Sequence, residues 1–215
     1  DEYGRYAIDY LKSKNVNVKY RMIDNVSTAY ATILTDKNGK NQVSVYQGAS
    51  LCMEKDDIQL IMDEIKNADY ILLQLEIKRE VLEEVIKIAC DNNVKVVLNP
   101  APAILDKNDP LYQYIDILTP NEVEVRDIFN IPNNLTVFDY GEYLKDKVSN
   151  TVIVTLGEKG CLLIKDGSYK YFEPICVEAK DSTGAGDIFH GALTYFIIHN
   201  YPLEEALRLS NITGA

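Results

Sequence analysis

The sequence predicts an α/β protein of three layers, α/β/α, with a mostly parallel central sheet and a small β-strand flap. Three observations predict it. From residue 56 onward, short apolar runs of strand length alternate with amphipathic runs of helical period, the pattern of parallel strands joined by helical crossovers. Before residue 47, three consecutive strand-like runs break that alternation and suggest a separate antiparallel flap. Polar residues also follow the apolar runs in a regular way: Glu76 after 70–75, Asn99 after 94–98, Asn121 after 115–119, with Thr155 and Gly157 closing 151–156. Open parallel sheets bind ligands beyond the carboxyl ends of their strands, so these residues are expected along one edge.

The elements follow in order. Residues 2–14 carry Tyr6, Ala7, Tyr10 and Leu11 at helical spacing, which predicts an amphipathic helix with that face inward. Lys19 to Ile23, Ala29 to Thr35 and Gln42 to Tyr46 predict strands. The last two join across Asp36-Lys37-Asn38-Gly39, a sequence suited to a hairpin turn, and the flap occupies about 18–46. Helices are expected at 56–67, 78–91, 121–129 and 137–147, and strands at 70–75, 94–98, 115–119 and 151–156. A hairpin is expected around Asp166-Gly167, then an extended stretch at 171–177, a helix over 187–199 and a last helix from Leu203. No internal repeat or low-complexity linker interrupts residues 1–215, which are expected to form a single domain.

Hydrophobic residues at 47% and charged residues at 26% are ordinary for a globular chain, so disorder is not favoured. A formal charge of −11 argues against nucleic acid or an anionic membrane as partner. An anionic substrate would need a local positive device instead. Cys52, Cys90, Cys161 and Cys176 form no C-x-x-C, and with only His190 and His199 no zinc-ligand spacing exists. Free cysteines, apolar runs too short for a membrane span and no signal-peptide pattern predict a cytoplasmic location.

That local device is Asp181-Ser182-Thr183-Gly184-Ala185-Gly186-Asp187, which precedes an apolar helical run. Glycines at a helix start let backbone N–H groups approach a ligand, and those groups with the helix dipole suit a phosphate. Asp187 would repel such a ligand and needs a separate task, such as taking a proton from an attacking hydroxyl. The competing reading is an ordinary Gly-rich turn, with Asp187 as a dipole-favoured first-turn residue.

This heptapeptide, continued by Phe189, Gly191 and Ala192, resembles the C-terminal signature of the ribokinase family, the phosphofructokinase-B-type carbohydrate kinases. Gln74-Leu75-Glu76, Asn99-Pro100-Ala101-Pro102-Ala103, Thr119-Pro120-Asn121-Glu122-Val123-Glu124 and Thr155-Leu156-Gly157-Glu158-Lys159-Gly160 match in family order. The resemblance spans essentially the whole chain. It implies a ribokinase-like fold and ATP-dependent phosphorylation of a sugar hydroxyl, D-ribose to ribose 5-phosphate. Fructose, 2-keto-3-deoxygluconate and nucleosides are the alternative acceptors, and a non-catalytic binding protein is the reading from another class. A dinucleotide-binding dehydrogenase is disfavoured because no Gly-x-Gly-x-x-Gly follows a first strand.

Residue by residue, the resemblance implies Asp187 as base and acceptor-binding group, with the Gly184, Ala185 and Gly186 amides as anion hole. Asn121, Thr155, Gly157, Gly160, Gly186 and Asn211 would serve the nucleotide, Asn211 near the adenine. Glu124 would hold Mg2+ through water, Asp181 and Thr183 would help hold K+, and Glu76 would bind a sugar hydroxyl. Structural alternatives stand beside these: Asn121 with Glu124 also spells a capping box, 155–160 a tight turn, and Glu76 an exposed loop residue. Lys159 is expected in solvent. His190 replaces the Asn usual in the family; it is expected at the edge of the site, against the alternative of a packed, uncharged helix residue. The family also implies a homodimer through the flap. Asp1-Glu2-Tyr3 drops straight into a helical pattern and 211–215 stops within one, so the chain is expected to be an internal piece. A preceding strand with a sugar-contacting Asp and Gly-Gly, and a following segment, would complete it.

Overall fold

The computed structural model describes residues 1–35, 41–102, 106–177 and 182–215. Its centre is a six-stranded sheet. Four parallel strands come first, β3 (Tyr70–Leu73), β4 (Lys95–Leu98), β5 (Ile117–Leu118) and β6 (Thr151–Thr155), and they lie side by side in chain order. Then β7 (Cys161–Lys165) and β8 (Ser168–Phe172) add antiparallel as a hairpin across Asp166-Gly167. Both turn residues have positive φ, 51° and 69°. The two-stranded β1 (Tyr30–Thr35) and β2 (Asn41–Tyr46) pair antiparallel, apart from this sheet.

Strand order dictates where the helices go. Right-handed crossovers between parallel strands laid down in one direction put every connection on the same face. On that face lie α3 (Arg79–Asp91), α4 (Glu122–Phe129) and α5 (Tyr140–Leu144), packed on Val96, Leu98, Leu118, Val152, Val154, Leu162 and Ile164. The alternate strand residues, Val97, Ile117, Ile153, Cys161 and Leu163, face the other way. They are covered by α6 (Ala185–Ile198) through Phe189 and Leu193, and by α7 (Leu203–Thr213) through Ala206 and Leu207. Both faces are therefore buried, which explains strands that read as near-continuous apolar runs.

The expected helices and strands from residue 70 onward are present, several shorter than predicted. The 137–147 helix is only the five residues of α5, because Asp139 accepts from the Thr136 N–H and hydroxyl (2.8 and 2.7 Å) and a turn precedes it. Residues 55–61 form a 3-10 segment, and regular helix begins only at α2 (Met62–Asn67). A capping box at Glu54 and Asp57 starts the segment.

The N-terminal part departs further. Helix α1 (Glu2–Ser13) forms, capped by Asp1, whose carboxylate also accepts from the Thr28 N–H and hydroxyl. Its predicted inward face is exposed: Tyr6 is 70%, Tyr10 52% and Leu11 41% accessible, and Ala7 is exposed too. Periodicity made the helix, but no described element covers that face. Lys19 to Ile23 is not a strand. Ion pairs from Lys19 to Glu64 (2.8 Å) and Arg21 to Asp57 (3.1 Å) tie it to the 3-10 and α2 region, and it has no strand partner among the described residues. The flap therefore has two strands, and its predicted turn at 36–39 lies outside the described residues. The four cysteines are free; Cys161 is buried, Cys52 and Cys90 half-buried and Cys176 exposed.

Candidate functional site

The carboxyl ends of the parallel strands gather several of the predicted residues, and the start of α4 is the best-defined part. The chain leaves β5 through Thr119, which is buried and donates its hydroxyl to the Leu98 carbonyl (3.2 Å). Asn121 Oδ1 then accepts from the N–H groups of Val123 and Glu124, both at 2.9 Å, while Glu124 Oε2 accepts from the Asn121 N–H at 2.8 Å. The capping box read as an alternative is thus formed. Glu124 is buried, and burial pushes its carboxyl above the ordinary range, opposed by the Asn121 N–H bond. Strand β6 reaches further than β5, so Thr155 pairs with Asn121 in an isolated parallel bridge, its N–H donating to the Pro120 carbonyl at 2.9 Å.

Beyond Thr155, two glycines that look alike in sequence separate. Gly157 has φ +57° and open space where a Cβ would stand. Gly160 has φ +87°, and a Cβ there would lie 2.1 Å from the Phe172 carbonyl oxygen. Close approach to β8 requires glycine at Gly160, whereas only the turn conformation does so at Gly157. Lys159 is exposed as expected, with Nζ 3.3 Å from Glu122.

At α6 the N-cap is Gly184, left-handed at φ +81°, with no side-chain cap hydrogen bond. Gly186 lies inside the helix, with nothing within 4 Å of an added Cβ, and Asp187 is exposed in the first turn. Thr183 precedes this turn; Asp181 lies outside the described residues. The end of α7 closes on the same turn, since a Cβ at Gly214 would stand 3.1 Å from the Ala185 carbonyl oxygen. Asn211, near the end of α7, lies beside the Cys161 thiol, which burial pushes up to about 12 against the influence of the Asn211 side chain. Its Nδ2 is buried without a hydrogen-bond partner among the described residues.

Glu76 stands apart, exposed beyond β3 and lining an open recess of about 410 Å³ with Ser50, Leu72, Leu73, Gln74 and Ile77. Asn99 is buried, its N–H donating to the Leu73 carbonyl (2.9 Å) and its side-chain nitrogen lying 3.2 Å from His190 Nδ1. His190 is also buried, so the packed alternative describes it. Burial pushes it below its ordinary value, with the Asp187 carboxylate opposing. Neither the Asn99–His190 pair nor the fit of Gly214 against Ala185 could be read from sequence, because no local pattern signals them.

The chemical content of this edge is a helix start without a side-chain cap at Gly184, where the Ala185 N–H donates to the Ser182 carbonyl (3.2 Å), with one exposed carboxylate beside it and polar strand ends. Among the described residues no group of three or more His, Cys, Asp or Glu is placed to hold a metal ion, and no helix is long and apolar enough to cross a membrane.

Comparison with known proteins bears on the family and the fold. The family model for pfkB family carbohydrate kinases matches residues 1–215. The chain is 29% identical over 222 residues to a ribokinase of Mus musculus, covering all of this chain and 69% of that protein. It is 32% identical over 190 residues to a ribokinase of Haemophilus influenzae, covering 87% of this chain and 62% of that one. A deoxyribokinase of Salmonella typhi is 28% identical over 220 residues, covering 100% and 71%. Among solved structures, the ribokinase from Thermotoga maritima superposes with a TM-score of 0.83 at 32% identity, covering 100% of this chain and 70% of that one. Arabidopsis thaliana ribokinase complexed with ribose and ATP gives 0.77 at 27% identity, covering 93% and 66%.

Proposed function

We propose that this chain, which belongs to the pfkB family of carbohydrate kinases, serves ATP-dependent phosphorylation of a sugar hydroxyl, with D-ribose as acceptor and ribose 5-phosphate as product. One observation carries the reading: Gly186 sits in helical backbone with open space where a Cβ would stand, next to the exposed Asp187. Neither packing nor φ requires glycine there; a phosphoryl group approaching the amides does. Asp187 orients the 5-hydroxyl and takes its proton as the oxygen attacks the γ-phosphorus. The new O–P bond forms, the bond to the β-phosphate oxygen breaks, and ADP leaves. The amides of Gly184, Ala185 and Gly186 stabilise charge on the equatorial oxygens.

Asn121, Thr155, Gly157, Gly160 and Asn211 form the nucleotide side. Gly157 leaves its outer face open to a ligand, while Gly160 shapes the turn. Asn211, whose side chain lies beside the Cys161 thiol, would serve the adenine. Glu76 accepts from a sugar hydroxyl. Mg2+, when bound, neutralises charge on the phosphates. Asn121 and Glu124 would hold it through water, and a cation nearby would favour the ionised form that burial of Glu124 disfavours. Asp181 and Thr183 would help hold K+.

Ribose is favoured over other acceptors by the ribokinases among the relatives and by the neighbour complexed with ribose and ATP. The deoxyribokinase at similar identity makes deoxyribose the second reading. The test is phosphate transfer from ATP to D-ribose, 2-deoxyribose, fructose, 2-keto-3-deoxygluconate and a nucleoside, using the intact protein. Fastest turnover with ribose supports the assignment. Preference for another acceptor moves it, and no turnover with binding retained favours a non-catalytic relative. Residues 1–215 are taken as one domain with 18–46 as a lid. Exposed Tyr30, Leu34, Val43, Val45 and Tyr46 on β1 and β2 support a homodimer through that lid, to be checked by light scattering. The free cysteines suit a reducing compartment, and the cytoplasm is the location proposed.

A further inference from the structure

Asn99 and His190 come from distant parts of the chain, and their side chains meet where both are more than nine-tenths buried (8% and 6% exposed). With its NH2 facing the ring, Asn99 donates and His190 accepts at Nδ1, which puts the ring proton on Nε2, a buried atom without a hydrogen-bond partner among the described residues. Burial favours the neutral ring, the state this bond needs, with the Asp187 carboxylate and the Thr119 backbone opposing. Asn99 is an anchor: it directly follows β4, which lies between β3 and β5, and its N–H is on the Leu73 carbonyl. His190 sits three residues after Asp187 on the same helix, so whatever fixes His190 fixes the turn that carries Asp187.

We propose that His190 is a positioning residue: through Asn99 it sets the depth and rotation of the first turns of α6 against the sheet, and so holds Asp187 where the acceptor hydroxyl is deprotonated. The inference rests on Asp187 being the base. It requires no contact between His190 and substrate, and its effect should fall on the chemical step rather than on nucleotide binding.

The test measures kcat, KM for ATP and melting temperature in the intact protein, with the best acceptor of the panel above. The variants are Asp187→Asn, His190→Leu, His190→Gln, Asn99→Ala and the double variant Asn99→Ala with His190→Leu. His190→Leu should lower kcat on the order of 10- to 100-fold, as an ångström-scale misplacement of a reacting group does, with KM for ATP within about twofold. His190→Gln, which can still present an acceptor, should recover most of the loss, and the double variant should be no slower than the worse single one. Asn99→Ala removes the donor without touching α6 and keeps the test open if His190→Leu fails to fold. Wild-type kcat in His190→Leu or Asn99→Ala overturns the proposal. So do additive losses that follow the melting temperature. If Asp187→Asn is inactive while both of those variants turn over normally, only this inference falls. If Asp187→Asn itself turns over normally, the base assignment falls and takes the positioning role with it.

Discussion

Helices α4 and α6 both begin at the sheet edge where the strand carboxyl ends lie, yet their first turns are built in opposite ways. At α4 the chain satisfies itself: Asn121 accepts from two amides, and Glu124 reaches back to the Asn121 N–H. At α6 the N-cap is a glycine without a side chain to offer, the next glycine faces open space, and the acidic residue points to solvent instead of closing the turn. A helix start leaves unsatisfied donors in either case. The difference teaches that two helix starts on one edge can be closed by quite different means, α4 by its own side chains and α6 without a side-chain cap at Gly184.

The largest test of this contrast is Asp187→Asn, which should lower kcat by roughly 10³-fold or more with KM for ATP little changed, since general-base assistance alone is worth about 10²–10⁴. Steady-state kinetics would show it, and near-wild-type turnover would make Asp187 an ordinary first-turn acid like Glu122. Next comes Gly186→Val, expected to cut kcat/KM for ATP by about 100-fold, comparable to losing an oxyanion donor. Its melting temperature should hardly move, because an added Cβ meets nothing within 4 Å. Early melting with full activity in the folded fraction would instead class Gly186 with Gly160, a glycine kept for packing.

Asn121→Ala should behave in the reverse manner, costing about 1 kcal/mol of stability by denaturant titration with a smaller effect on turnover. A loss of activity larger than the loss of stability would show that α4's start also serves the ligand. The smallest effect concerns pH. The folded-state pKa of Glu124 is raised above its ordinary 4.5, so its ionised form is disfavoured in the fold. Whatever stability the protonated acid contributes is present below 4.5 and is lost as pH rises through the raised value. The melting temperature of the wild type relative to Glu124→Gln should therefore decline over that interval. A rising difference would mean that the bond from the Asn121 N–H outweighs burial.

Much of the fold was legible in the sequence because period alone decides it. Alternating runs from residue 70 gave the strands and their crossovers, and polar residues at run ends gave the edge that carries the candidate site. The capping box at Asn121 and Glu124 was legible because its signal is local. Period failed where a partner decides: Tyr6 and Tyr10 mark a helix face but not what covers it, and Lys19 to Ile23 has strand composition without a neighbour to pair with among the described residues. Gly157, Gly160 and Gly186 are indistinguishable as letters. Only the Phe172 carbonyl against Gly160, and the open space at the other two, sorts them. The Asn99–His190 bond joins residues from separate elements and has no signature along the chain.

The hairpin of β7 and β8 carries a consequence of parity. One reversal after β6 would bring the chain out at the far edge of the sheet; two reversals cancel, so β8 ends beside Cys161, at the level of the turn after Thr155. The chain is thereby carried sideways by two strand widths with its heading restored, and the next helix can start at the carboxyl-end edge while lying on the opposite face. Because Asp166-Gly167 sits at the other end of this detour, the hairpin can lengthen or shorten there in steps of paired residues, and the heading with which the chain leaves Phe172 stays the same.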